Sequence, residues 1–174
     1  MPTLSFYPTQ VLSASAFSAS ELSKVLGNTS TEATHTDSIG TYAGLGGTFR
    51  IDMSALPASA IVSGLRAQVL ALASATNIRA FYSFEIYNGD SILKTNQSSV
   101  PTSLSQWTAS VTASELAARG INTAALRGSG LEWANNFLSL GTSYATLYWQ
   151  KFWVDVDYTL PAGVPNPLFF NELF

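Results

Sequence analysis

Across residues 146–160 the chain reads TLYWQKFWVDVDYTL, in which Tyr148, Phe152, Val154, Val156 and Tyr158 alternate with Trp149, Lys151, Trp153, Asp155 and Asp157. Side chains on a strand point to opposite faces at period two, so the pattern predicts a two-faced β-strand. One face is apolar apart from Gln150 and should turn into a core; the other carries two Trp and three charges. Such a strand belongs to an antiparallel sheet with one face wetted or covered by a partner.

Further stretches with strand character cover residues 41–53, 61–72, 78–87, 91–94 and 131–140. Asn88-Gly89 separates two of them and readily takes the left-handed conformations of a tight hairpin turn. In the first arm of that hairpin Ile78, Ala80, Tyr82, Phe84 and Ile86 share a face. Nearer the N-terminus the pattern gives a short strand around residues 10–17, a helical turn over 20–26 capped by Ser20, and a polar loop over 29–38. Thr112-Ala-Ser-Glu115 has the form of a capping box, opening a short helix that Gly120 closes. Many strands with little helix predict an all-β fold, an antiparallel β-sandwich or jelly roll of about eight strands with one or two short helices. Its core should draw on Phe84, Ile86, Phe152, Val154, Val156 and Tyr158.

Beyond Leu160 the character changes to PAGVPNPLFFNELF. Pro161, Pro165 and Pro167 hold the chain extended and outside any central strand. The organisation expected is therefore a β-sandwich domain over residues 1–160, with a polar N-terminal segment, and a Pro-rich arm over 161–174. The arm ends in Leu168, Phe169, Phe170, Leu173 and Phe174, an apolar cluster expected either to dock on a neighbouring subunit or coat protein or to fold back on its own sandwich.

Length and composition narrow the classes. The 174 residues suit one domain with its own core. Charged residues make up 11%, against about 25% in an average soluble protein, so either the surface is hydroxyl-rich or much of it is covered by other subunits. A net charge of -3 with scattered Lys and Arg gives no footprint for nucleic acid. The absence of Cys removes disulfides, thiolate nucleophiles and Cys-based zinc sites. The start, MPTLSFYPTQ, lacks a signal-peptide pattern, and the longest apolar stretch, residues 60–73, is interrupted by Arg66 and Gln68, so neither secretion nor membrane insertion is expected.

Candidate chemistry is sparse. His35, the single imidazole, lies beside Asp37 in the polar loop, and Gly128-Ser129-Gly130 lacks the spacing of a nucleophile elbow. Asp155 and Asp157 share a strand face roughly 6.5 to 7 Å apart, a spacing open to a carboxylate pair, a hard-cation site or a solvated sheet edge. Trp149 and Trp153 on the same face, roughly 13 Å apart, could anchor a protein interface, stack on successive sugars or be covered by their own chain. Gly44-Leu45-Gly46-Gly47 has no Lys-Ser/Thr after it and marks a bulge or close backbone approach rather than a phosphate loop. No catalytic residue, metal site or cofactor is expected.

Leu56-Pro-Ala-Ser-Ala-Ile-Val-Ser-Gly-Leu65 after a framework strand at 48–53, Trp107-Thr108 ahead of the Leu116 segment, and the closing Val154-to-Thr159 run VDVDYT together resemble β-sandwich modules of tailed-bacteriophage virion proteins. The similarity spans roughly residues 25 to 160. It implies a non-enzymatic structural protein located in the virion and, before that, in the host cytoplasm, most readily a capsid decoration (cement) subunit. Its partners would be the major capsid protein or other virion proteins, and it would be a homotrimer. Trp149, Trp153, Leu168, Phe169, Phe170 and Phe174 are its expected contact residues. A neck, collar or tail-associated component is the alternative within that class, and a glycan-binding module using Trp149 and Trp153 the alternative outside it.

Overall fold

The computed structural model describes residues 2–14, 18–28, 33–36, 40–73, 79–89, 91–99, 102–141 and 146–163. The apolar cluster of the arm, Ile78 and Asp37 lie outside them, as do the side chains of Phe84 and His35.

The fold is an antiparallel β-sandwich. The strands are β1 (Thr3–Phe6), β2 (Pro8–Ala14), β3 (Ala33–Thr36), β4 (Gly40–Ile51), β5 (Ile61–Ala73), β6 (Arg79–Asn88), β7 (Ser91–Ser99), β8 (Ser105–Thr112), β9 (Leu131–Gly141) and β10 (Thr146–Thr159). Among the described residues three short helices accompany them, α1 (Ala19–Ser23), α2 (Ala113–Ala118) and α3 (Thr123–Ser129). One sheet runs β1-β10-β5-β8, with β3 also on β10; the other runs β2-β4-β9-β6-β7. On the edge of β10 away from β5, β3 covers residues 146–149 and β1 covers 154–157. Every strand pairing among the described residues is antiparallel.

The two sheets meet over a fully buried aromatic cluster. Phe152 packs edge-on against Trp133 (5.3 Å between ring centroids) and Trp149 (5.2 Å), and tilted against Phe49 of the facing sheet (5.4 Å). Val154, Val156, Tyr158 and Ile86 are buried beside them, as the alternation predicts.

Trp149 departs from the sequence reading. The register of β10 against β5 shifts between Trp149 and Lys151, a bulge that admits one extra residue and inverts the parity of the strand. Trp149, which simple alternation places outside with Trp153, therefore turns inward and is fully buried within its own chain. The segment read as a polar loop over 29–38 contains β3, so His35 belongs to an edge strand, opposite Leu147, and not to a loop. The cap of α1 is Ser18 rather than Ser20: its hydroxyl accepts from the Glu21 amide.

Two local readings match their physical cause. Thr112 and Glu115 form the reciprocal capping box of α2, and Gly120 takes a φ of 67° after it. The register of β4 shifts between Leu45 and Gly47, the bulge that the glycine run marks, and at Gly47 the Leu22 side chain packs where a Cβ would stand. Gly130 is constrained by backbone and not by a movable side chain. At φ 64° an added Cβ would lie 2.5 Å from the Ile51 carbonyl oxygen, a backbone atom that cannot swing aside. Gly130→Ala is accordingly expected to destabilise by about 2 kcal/mol or more, seen as a lower midpoint in denaturant, because strained backbone and a steric clash add.

Candidate functional site

The outer face of the β1-β10-β5-β8 sheet gathers most of the polar chemistry that the sequence singles out. The odd-numbered residues Lys151, Trp153, Asp155 and Asp157 project from β10, with Arg66 and Gln68 of β5 beside them and Gln106, Thr108, Ser110 and Thr112 of β8 exposed beyond. Antiparallel register sets these neighbours, since residues directly opposite share a face.

Both carboxylates are held by donors from either side. Asp157 accepts the Thr3 hydroxyl at 2.6 Å and is clasped by both terminal nitrogens of the Arg66 guanidinium, at 2.8 and 3.1 Å. Asp155 accepts the Ser5 hydroxyl at 2.6 Å on one oxygen and the Gln68 amide on the other, while the Gln106 amide donates to Gln68. The result is a ladder running from β1 through β10 and β5 to β8, in which Gln68 is 7% exposed although it sits on the outer face. An exposed ion pair contributes ~0–1 kcal/mol, so the ladder's main effect is to fix the side chains in one arrangement. The Asp pair acts structurally, with all four oxygens engaged.

Trp153 is half-buried on the same face, and Lys151 places its ammonium 5.6 Å from the Trp153 ring centroid and 5.1 Å from that of Tyr7. Trp149 and Trp153 are thus not brought together: one is in the core and the other outside. The hydrogen-bond ladder escaped the sequence reading because its partners lie up to 154 positions apart and only register reveals them.

Two grooves lie away from this face. One, of about 520 Å³, is walled by Ile61, Val62, Leu116, Ala117 and Ile121. The other, of about 580 Å³, is polar and includes Arg50, Asp52, Arg127 and Ser129. Its charges are engaged locally: Arg50 pairs with Glu132 at 3.1 Å, Arg127 donates to the Ser54 carbonyl, and the Ser54 amide and hydroxyl hold the Asp52 carboxyl below the usual carboxylate range. Glu21 is held low as well, chiefly by Lys24 and then by the Thr34 amide, which ties α1 to β3. Among the described residues no three His, Cys, Asp or Glu side chains cluster to hold a metal ion, and no helix is long and apolar enough to cross a membrane.

The chain matches no protein-family model and has no sequence match among curated proteins. Among solved structures it is similar to the carbohydrate-binding module TmCBM61 in complex with beta-1,4-galactotriose, at 8% identity and a TM-score of 0.44 over 88% of this chain and 87% of that one. It is also similar to the C-terminal CBM6 module of LamC from Zobellia galactanivorans, at 10% identity and a TM-score of 0.37 over 89% of this chain and 98% of that one. A third likeness is to a chain of infectious bursal disease virus, Gx strain, at 11% identity and a TM-score of 0.35, over 82% of this chain and 40% of that one. Carbohydrate-binding modules and a chain of infectious bursal disease virus thus both stand among the structures it is similar to, and at these scores neither assigns an activity.

Proposed function

We propose that the chain is a non-enzymatic structural protein of a tailed-phage virion, a decoration subunit that binds the assembled capsid by the outer face of its β1-β10-β5-β8 sheet, as a homotrimer. The observation that supports this most is the ladder through Asp155 and Asp157. Its charges are compensated within the face, so covering it costs less than burying free carboxylates. Its side chains are already fixed, so little ordering entropy is lost on docking. Trp153 supplies the large aromatic that interface hot spots favour. The low charge content and the VDVDYT and Leu56-to-Leu65 resemblances point the same way. Binding only the assembled lattice would stabilise it by mass action.

Trp153→Ala is expected to weaken capsid binding by about 30-fold, the equivalent of ~2 kcal/mol, while leaving the β-sheet signal intact. Co-sedimentation of purified protein with capsids reads the first, circular dichroism the second. Wild-type protein that neither co-sediments with capsids nor occurs in particles ends the proposal. Copy number separates decoration from a neck or collar, hundreds of copies against about a dozen or fewer on symmetry grounds.

The second reading, a glycan-binding module, is favoured by one specific observation. Trp153 lies half-buried on a sheet face lined by hydroxyls and amides, the mixture that sugar sites use. It would act as a single stacking residue, since Trp149 is in the core. A glycan array together with Trp fluorescence titration decides it.

A further inference from the structure

The apolar groove opens beside the point where the chain leaves its last strand. Ile61, the first residue of β5, pairs with Thr159, the last of β10, and is 59% exposed. Leu116 and Ile121 are buried at the groove, with Val62 and Ala117 beside them. Its polar members are already engaged: Asn122 accepts from the Ala125 amide at 3.0 Å, and the Thr123 hydroxyl donates to the Ala60 carbonyl at 2.6 Å. What remains free is apolar surface, which fits an apolar occupant.

The strand exit is built to redirect the chain. Leu160 packs against the core, and residues 162–163 form a turn in which Gly163 has φ 84°, a left-handed conformation that Gly adopts without strain. From Gly163 to Leu168 is five residues, at most about 17 Å when extended, and neighbouring strands lie only about 5 Å apart. The groove edge at Ile61 is therefore within reach of the segment Leu168-Phe169-Phe170.

We propose that this groove seats the chain's own C-terminal segment, residues 168–174, with Phe169 and Phe170 as the inserted side chains. A tether this short gives the segment a local concentration on the order of millimolar at the groove, so it outcompetes a second copy's arm at ordinary protein concentrations. The inference stands apart from the virion reading: the arm caps the end of its own sandwich, and docking on other proteins falls to the outer sheet face.

A double-mutant cycle tests it, using deletion of residues 164–174, Ile61→Asp, and the two combined. Thermal unfolding and sedimentation are read at several protein concentrations. Each single change is expected to lower Tm by about 5 °C, and the combination by no more than the larger of the two, because both remove the same contact. Apolar-dye fluorescence should rise on deletion and fall again when a peptide of residues 164–174 is added. Sedimentation should not change. If the truncated chain fails to fold, Phe169→Ser with Phe170→Ser in the full chain completes the same cycle. Additive losses or an unchanged Tm overturn the proposal. So does dissociation of an oligomer on deletion, which would give the groove to the arm of a second copy.

Discussion

Phe152→Ala is expected to cost about 3–5 kcal/mol, lowering Tm by about 10 °C. Phe152 is fully buried and stands at the centre of the contact between the two sheets, with Trp133 and Trp149 edge-on and Phe49 tilted across the interface. Truncation removes its transfer free energy and leaves a cavity between β-sheets whose backbones are pinned by ladder hydrogen bonds and cannot close over it. The three aromatic contacts add to that loss, since each geometrically favourable ring pair is worth about 0.5–1.5 kcal/mol beyond area. Denaturant unfolding followed by circular dichroism measures the loss directly. The near-ultraviolet signal should collapse as well, because two of the rings around the void are Trp. A change below about 1 kcal/mol would mean that the sheets do not pack through this residue.

The second large effect separates two residues four positions apart. Trp149→Ala should destabilise by about 3–5 kcal/mol, comparably to Phe152→Ala, because Trp149 is fully buried and edge-on to Phe152. Trp153→Ala should change the stability of the isolated chain by less than about 1 kcal/mol, since Trp153 lies half-buried on the outer face. The expected order is the reverse of what strict alternation implies for a pair sharing one face. Equal costs at the two positions would place Trp153 in a core, or Trp149 outside it. Emission provides an independent check, because loss of a buried Trp removes blue-shifted fluorescence and loss of a half-exposed one removes red-shifted fluorescence.

This contrast also shows where periodicity stops being informative. From Phe152 to Tyr158 the period-two pattern is unbroken and the inward face follows from it directly. The bulge between Trp149 and Lys151 inverts the pattern upstream, and no Gly or Pro marks it. By contrast, the bulge in β4 falls within a glycine run and is legible there. β8 alternates faithfully, with Trp107, Ala109 and Val111 turned inward, but Ser, Thr and Gln fill the rest of the segment and leave its hydrophobic signal too thin to announce a strand. β1 and β3 are short edge strands that exist because β10 offers them partners. Their sequences, TLSF and ATHT, carry little β signal alone. The candidate site was legible in part for the same reason: the shared face of Trp153, Asp155 and Asp157 is local, whereas Ser5, Gln68 and Gln106 arrive through register.

The position of β10 has a consequence for synthesis. It is interior to its sheet, flanked by β5 on one side and by β1 and β3 on the other, yet it leaves the ribosome after every other described strand of the two sheets. Residues 3–6 must wait for residues 154–157 before they have a partner. Until then β5 presents one bare edge, and the apolar side chains destined for Phe152 stay exposed. Contacts this distant along the chain make for folding on the millisecond-to-second scale, and nascent chains crowded on one message could pair edge to edge in the interval. The opposing sheet has no such delay in its β6-β7 hairpin, whose Asn88–Ser91 closure needs only neighbouring residues. Assembly should therefore begin at that hairpin and finish with β10 sliding between partners made long before it.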